Sequence, residues 1–152
     1  MFLNSTPLLR PKMPLDPGSP DFGPAVDTGI MILMEDQRIR LPDGRVLLIR
    51  AGFDFDGISV PRLFWSSTYH PFHLRTMCAG LAHDAIYAAE LLPRDEADRI
   101  FAELLDEAGV SWYTENKMWL GVRTGGCFVW ADHTRAEVAY YRTLVQFEEV
   151  AA

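Results

Sequence analysis

The chain has 152 residues, of which 49% are hydrophobic and 23% are charged, a composition typical of a single globular domain and not of a disordered or fibrous chain. Twenty-one acidic residues against 14 lysines and arginines give a net charge of -7, which argues against binding to nucleic acid. Arg, Asp or Glu interrupts every apolar run before it reaches the ~20 residues of a spanning helix, so we expect a soluble protein that is not integral to a membrane.

Residues 1–29 are predicted to form an extended, Pro-rich arm ahead of one domain at 30–152. Six of the ten prolines lie between Pro7 and Pro24. Because proline fixes φ and removes a backbone donor, no regular structure is expected there. Two interpretations stay open: a leader without contacts, or an arm that orders along a partner surface. The anchors of such an arm are the apolar side chains Phe2, Leu8, Leu9, Leu15 and Phe22.

Three short strands are predicted to follow: Ile30 to Met34, Arg38 to Leu41 and Arg45 to Ile49. The segment from Pro42 to Gly44 separates the last two and has the residues that a tight hairpin turn needs. The result is a small antiparallel sheet, with one face in water and the other packed on helices. The solvent-exposed face is predicted to carry Arg38, Arg40, Arg45 and Arg50.

The remainder of the domain is predicted to be helical. The four helices are His73 to Leu91, about Asp95 to Ala108, one that begins after Ser111 and ends near Gly125, and one from near Asp132 that includes Val145. Because the connection between the first two is short, those helices must be antiparallel neighbours. The fold class is therefore α+β: a small antiparallel sheet followed by a helical half built on an antiparallel helix pair, with the extended arm in front.

A histidine and an aspartate on these two helices are candidate catalytic residues. His83 lies in an apolar run, where its ring nitrogens need polar partners. Asp98, near the start of the second helix, can face it because the helices are antiparallel. An aspartate on one ring nitrogen would fix the tautomer and leave the other as a general base, whereas the alternative is a bond that only ties the helices together. Tyr87 lies one turn after His83 and shares its face.

Two acidic groups predict a cation site close to this pair. Asp84 points roughly 100° away from His83 around the helix and cannot share its partner. In the preceding loop, Asp56 comes directly before Gly57, which allows a sharp turn that aims oxygens at one place. Calcium prefers such oxygen ligands, at about 2.3–2.6 Å. The alternative is that Asp56 caps a turn and Asp84 pairs with an arginine.

Five stretches of the chain match one family pattern: Gly52-Phe53, Asp56 to Arg62, Ala82 to Tyr87, Arg94 to Phe101 and Val122 to Gly125. Together they resemble the phage and prophage family called domain of unknown function 1353. The resemblance covers about half of the chain and implies that the protein originates from a bacteriophage or prophage. It implies no activity, because none is part of the family description.

A more distant resemblance carries a mechanism. The pattern His-Asp-x-x-Tyr from His83 to Tyr87, with Asp98 on an antiparallel helix and an Asp-Gly loop upstream, is similar to the phospholipase A(2) superfamily, especially its small microbial members. The resemblance implies that His83 activates a water molecule and that Asp98 orients His83. It also implies that Tyr87 braces Asp98 from the same helical face.

The same resemblance implies a calcium site. Asp84 and Asp56, with loop carbonyl oxygens at Gly57 and its neighbours, would hold the ion against an ester carbonyl, where it stabilises the developing charge. The apolar side chains around this loop would form a rim for a lipid or a partner protein, or else belong to the core. They are Ile58, Val60, Leu63, Phe64, Trp65, Tyr69 and Phe72.

Two functions follow as hypotheses. In the first, the chain is a bacteriophage-encoded virion protein, associated with the tail and made in the host cytoplasm, which hydrolyses an ester of the host envelope lipid at a calcium-dependent, phospholipase-like His/Asp site. In the second, it is a non-catalytic structural or assembly component of the tail, which binds other phage structural proteins through its N-terminal arm. Neither hypothesis involves nucleic acid.

Overall fold

The computed structural model describes residues 1–4, 6–11, 30–55 and 73–148. The predicted metal ligands Asp56 and Gly57, the apolar rim and the arm anchors Leu15 and Phe22 lie outside the described residues. The part of the chain that is described is α+β, as predicted, with helices and two antiparallel sheets. None of its helices is both long and apolar enough to cross a membrane.

Short strands form the two sheets. They are β1 (Leu9–Pro11), β2 (Met31–Leu33), β3 (Gln37–Arg40), β4 (Val46–Ile49), β5 (Asp54–Phe55) and β6 (Val145–Glu148). One sheet has the order β1-β2-β5 and the other β3-β4-β6, and every pair is antiparallel. The three predicted strands are confirmed as β2, β3 and β4, with boundaries within one residue, although they divide between two sheets.

The helices are α1 (Leu74–Ala89), α2 (Arg94–Glu107), α3 (Trp112–Asp132) and α4 (Arg135–Leu144). α1 ends where Glu90 adopts a left-handed φ of 44°, and α2 begins directly after Pro93. This short reversal makes α1 and α2 antiparallel neighbours, as predicted. Several alanines of α1 are fully buried, and their small side chains let the surrounding elements come close: Ala79, Ala82, Ala85 and Ala89.

The predicted hairpin turn between β3 and β4 is present. Asp43 Oδ1 accepts a hydrogen bond from the backbone N–H of Arg45 at 3.0 Å, and Gly44 takes a φ of 90°, which glycine adopts without steric cost. The guanidinium of Arg45 also contacts Glu96 in α2 at 2.7 Å and so joins the sheet to the helix pair. The other arginines that were predicted to lie on the solvent-exposed face of the sheet are exposed: Arg38, Arg40 and Arg50.

The C-terminal elements differ from the prediction in two places. α3 does not end near Gly125 but continues to Asp132. Val145, expected in the fourth helix, begins β6 and pairs with Ile49 of β4. β4 is buried at every position and lies in the middle of its sheet, so its backbone needs a partner on both sides. This long-range pairing, and not helix propensity, fixes the end of α4 at Leu144.

The first residues of the arm pack on this chain itself. β1 pairs with β2, so the prediction that the arm has no regular structure is wrong at Leu9–Pro11. Backbone hydrogen bonds also join Met1 and Leu3 to β3. Phe2 and Leu9, two of the proposed partner anchors, pack against the core of their own domain, whereas Leu8 is exposed. Any partner of the arm would therefore have to contact residues other than Phe2 and Leu9.

The core lies where the sheets meet the helix pair. Its largest fully buried side chains come from both halves, including Leu47, Ile49, Phe53, Phe55, Leu81, Ile86, Ile100 and Phe101. Burying one such side chain contributes about 1.5–3 kcal/mol. Few polar residues are buried among the described ones: Gln37, Thr76, His83 and Asp98. The two ionisable members of this set are the two predicted catalytic residues.

Candidate active site

His83 and Asp98 are in contact at the α1–α2 interface. The Nε2 atom of His83 lies 3.0 Å from Asp98 Oδ1, and the hydroxyl of Tyr87 donates to the same oxygen at 2.6 Å. The side chains of His83 and Asp98 are 6% and 2% exposed. The structure therefore brings the three predicted residues together in one buried cluster, and their catalytic roles stay predictions.

Arg123 of α3 completes the cluster and was not predicted as a site residue. Its Nη1 atom donates to Asp98 Oδ2 at 3.1 Å, on the side of the carboxylate away from His83. Arg94, one turn before Asp98 on α2, has its Nε atom 3.9 Å from the same oxygen. Because α3 returns past the helix pair, side chains from three helices converge on one carboxylate.

The charge states of the cluster follow from these contacts. Burial raises the pKa of Asp98, but the hydrogen bonds from His83, Tyr87 and Arg123 outweigh it, so the pKa lies below its ordinary value. Burial lowers the pKa of His83, but the Asp84 and Asp98 carboxylates outweigh it, so the pKa lies above its ordinary value. Burial, and then the bond to Asp98, raises the pKa of Tyr87, which keeps its phenol as a donor.

The other ring nitrogen of His83 lies beside a cavity. His83 Nδ1 is 3.7 Å from Asp84 Oδ1, and both residues line a cavity of about 360 Å³ between α1 and α3. Asp54 also lines it, and its Oδ1 accepts the Tyr141 hydroxyl at 2.8 Å. A cleft of this volume is within the range of small-molecule sites. The imidazole thus has the Asp98 carboxylate at Nε2, and the Asp84 carboxylate together with the cavity at Nδ1.

The predicted calcium site is only partly described. Asp84 is placed at the cavity wall, as its role requires, whereas Asp56 and Gly57 lie outside the described residues. Within the ranges that the structure describes, no group of three His, Cys, Asp or Glu side chains is arranged to hold a metal ion. Calcium binding therefore stays a prediction.

Two adjacent glycines of α3 should respond oppositely to alanine. A Cβ at Gly126 would lie 2.8 Å from the hydroxyl oxygen of Tyr87, which cannot turn away without losing its bond to Asp98. We expect Gly126→Ala to lower the free energy of unfolding by about 1–3 kcal/mol. Among the described residues, a Cβ at Gly125 would meet nothing within 4 Å, so Gly125→Ala should raise the free energy of unfolding by up to about 1 kcal/mol through helix propensity. Urea denaturation of both variants measures the difference, and equal effects would contradict the described packing at Tyr87.

The fold and the cluster define an α+β domain with a buried His–Asp pair beside a cavity and a partly exposed arginine bound to the aspartate. The family model described as a protein of unknown function, DUF1353, matches residues 31–122. Because the match covers more than half of the chain, the protein belongs to this family, as the motifs predicted. The matched range contains His83, Tyr87 and Asp98 and stops one residue before Arg123. Searches of curated proteins and of solved structures gave no match.

Proposed function

We propose that the protein hydrolyses an ester, with His83 as the general base and Asp98 as the residue that positions it. The observation that carries the proposal is the 3.0 Å contact of His83 Nε2 with Asp98 at the wall of a cavity. Because Asp98 is held as an anion, it can only accept, so Nε2 carries the ring proton. The lone pair of the neutral imidazole is then at Nδ1, where a water molecule in the cavity could lose its proton to it.

The remaining contacts support this role by fixing the imidazole. Tyr87 and Arg123 occupy further acceptor positions of Asp98, so the carboxylate has little freedom to turn. The ring of His83 also packs against the rings of Tyr87 and Phe101, at centroid distances of 4.1 and 5.1 Å. A base that is held in one orientation contributes more to the rate than a freely rotating one.

Calcium belongs to this proposal as a cofactor. Asp84 offers hard oxygen ligands at the cavity wall, which suit that ion, and Asp56 with Gly57 would complete the set. When bound, the ion would act as a Lewis acid on the ester carbonyl. The proton transfer itself needs only His83 and its partner Asp98.

We further propose that the protein is a phage virion or tail protein and that its substrate is an ester of the host envelope.

A second function, a non-catalytic component of the tail, is favoured by one specific observation. Asp98 joins α1, α2 and α3 through His83 and Arg123, which is also what a purely structural cluster would do. The two functions differ in what removal of the base does to activity.

His83→Gln separates the two functions. Glutamine keeps an N–H donor for Asp98 but has no basic nitrogen, so we expect hydrolysis of p-nitrophenyl butyrate, measured with calcium present, to fall by about 10²–10⁴-fold. The Tm should change little at a pH above the pKa of His83, where the wild type has also lost the ion pair with Asp98. The control is His73→Gln, the same exchange at the N-cap of the same helix and away from the cavity, which should keep full activity. Wild-type hydrolysis in His83→Gln would leave only the structural function.

A further inference from the structure

The cavity beside His83 is lined by both polar and apolar side chains, and Asp54, His133 and Tyr141 are among the polar ones. α1 contributes the polar side chains of His83 and Asp84. α3 contributes an apolar stripe at helical spacing, which consists of Val122, Gly125, Gly126 and Val129, and Ile30 and Phe53 add further apolar surface. Such a lining suits a ligand with a polar group at one end and a hydrocarbon chain at the other.

The volume limits the size of that chain. A water molecule takes about 30 Å³ of the liquid, so about 360 Å³ accommodates roughly a dozen water-sized groups. This is enough for one chain of about ten carbons with its polar end, and too little for two long chains. A cavity of this volume would therefore bury one such chain and not two.

We propose that this cavity binds the single apolar chain of a medium-length ester, and that Gly125 sets the longest chain that fits. The claim that the ligand is an ester rests on the proposed function, whereas the claim that the cavity binds an apolar hydrocarbon chain does not. Gly125 lines the cavity, and a Cβ there would meet no atom of the described residues within 4 Å. A larger side chain at Gly125 would therefore extend from the helix into space that the ligand uses.

Binding of uncharged straight-chain alcohols tests the inference without any catalytic step. Calorimetric titration with 1-butanol, 1-hexanol, 1-octanol, 1-decanol and 1-dodecanol should show affinity that rises about fourfold with each methylene. We expect the rise to level off at about ten carbons in the wild type and at about six in Gly125→Leu, because leucine adds four carbons to the cavity wall. No binding, or an unchanged length limit in Gly125→Leu, would overturn the inference.

Thr124→Leu is the matched control. It adds an apolar side chain of the same size at the neighbouring position of α3, where the residue is exposed and does not line the cavity. Its length limit should equal that of the wild type. A limit that shifts equally in Thr124→Leu and Gly125→Leu would mean that the probes bind elsewhere, and the inference would be wrong.

Hydrolysis of p-nitrophenyl esters with the same chain lengths separates this inference from the proposed function. If both hold, kcat/KM peaks near the length at which alcohol affinity levels off and shifts to shorter chains in Gly125→Leu. If no ester is hydrolysed while the alcohols keep their length limit, the proposed hydrolytic function is wrong and the inference that the cavity binds an apolar chain stands. If esters are hydrolysed without any preference for chain length, the inference that the cavity binds the apolar chain is wrong and the hydrolytic function stands.

Discussion

Asp98→Ala should lower the free energy of unfolding by about 3 kcal/mol, the largest stability loss that we expect at this site. The substitution leaves the donors of His83 and Tyr87 buried without their shared acceptor. Arg123 contributes less to the loss, because its side chain is 40% exposed and can turn toward water. Urea denaturation of the variant and the wild type at neutral pH measures the effect.

Two further variants show whether the loss comes from the cluster. Asp98→Asn keeps the shape and one acceptor oxygen, so it should lose less than Asp98→Ala. Asp106→Ala removes an exposed carboxylate near the end of the same helix and should change the free energy by less than about 0.5 kcal/mol. A loss below about 1 kcal/mol in Asp98→Ala would contradict the described network.

The parts of the fold that could be predicted from the sequence depend on local signals. The turn at Pro42–Gly44 and the positive φ of Gly109 after α2 act within a few residues, and the elements before them, β3 and α2, end within one residue of the predicted positions. β6 depends on a partner strand that lies far away in the chain. Val145 directly follows a helical pattern, so nothing local indicated that it pairs with β4.

The same distinction divides the site. The contact between His83 and Asp98 could be predicted because one short connection fixes the direction of α2 relative to α1. Arg123 could not, because its position depends on how α3 crosses the pair. The local signal at that crossing is the pair of glycines, which the sequence pattern indicates as a helix end. In the structure Gly126 instead lets the helix backbone approach Tyr87 closely, and the helix continues.

Stability should depend on pH through the two shifted groups of the cluster. The pKa of Asp98 is lowered in the folded state, because the donors around it outweigh its burial, so its contribution is complete above the unfolded value of about 3.9 and is lost as pH falls through the folded pKa. The pKa of His83 is raised, because Asp84 and Asp98 outweigh its burial, so its contribution is complete below about 6.5 and is lost as pH rises through the folded pKa.

These two groups therefore predict the greatest stability between about pH 4 and 6.5 and a decline on either side. Urea denaturation across pH 3 to 9 measures the profile, and His83→Gln identifies the cause, because it should abolish the alkaline decline and keep the acidic one. An alkaline decline of the same size in His83→Gln would show that His83 is not its source. If His83 is also the base, ester hydrolysis must rise through the pH range in which stability falls, because deprotonation of the imidazole gives up the ion pair with Asp98 and creates the reactive lone pair.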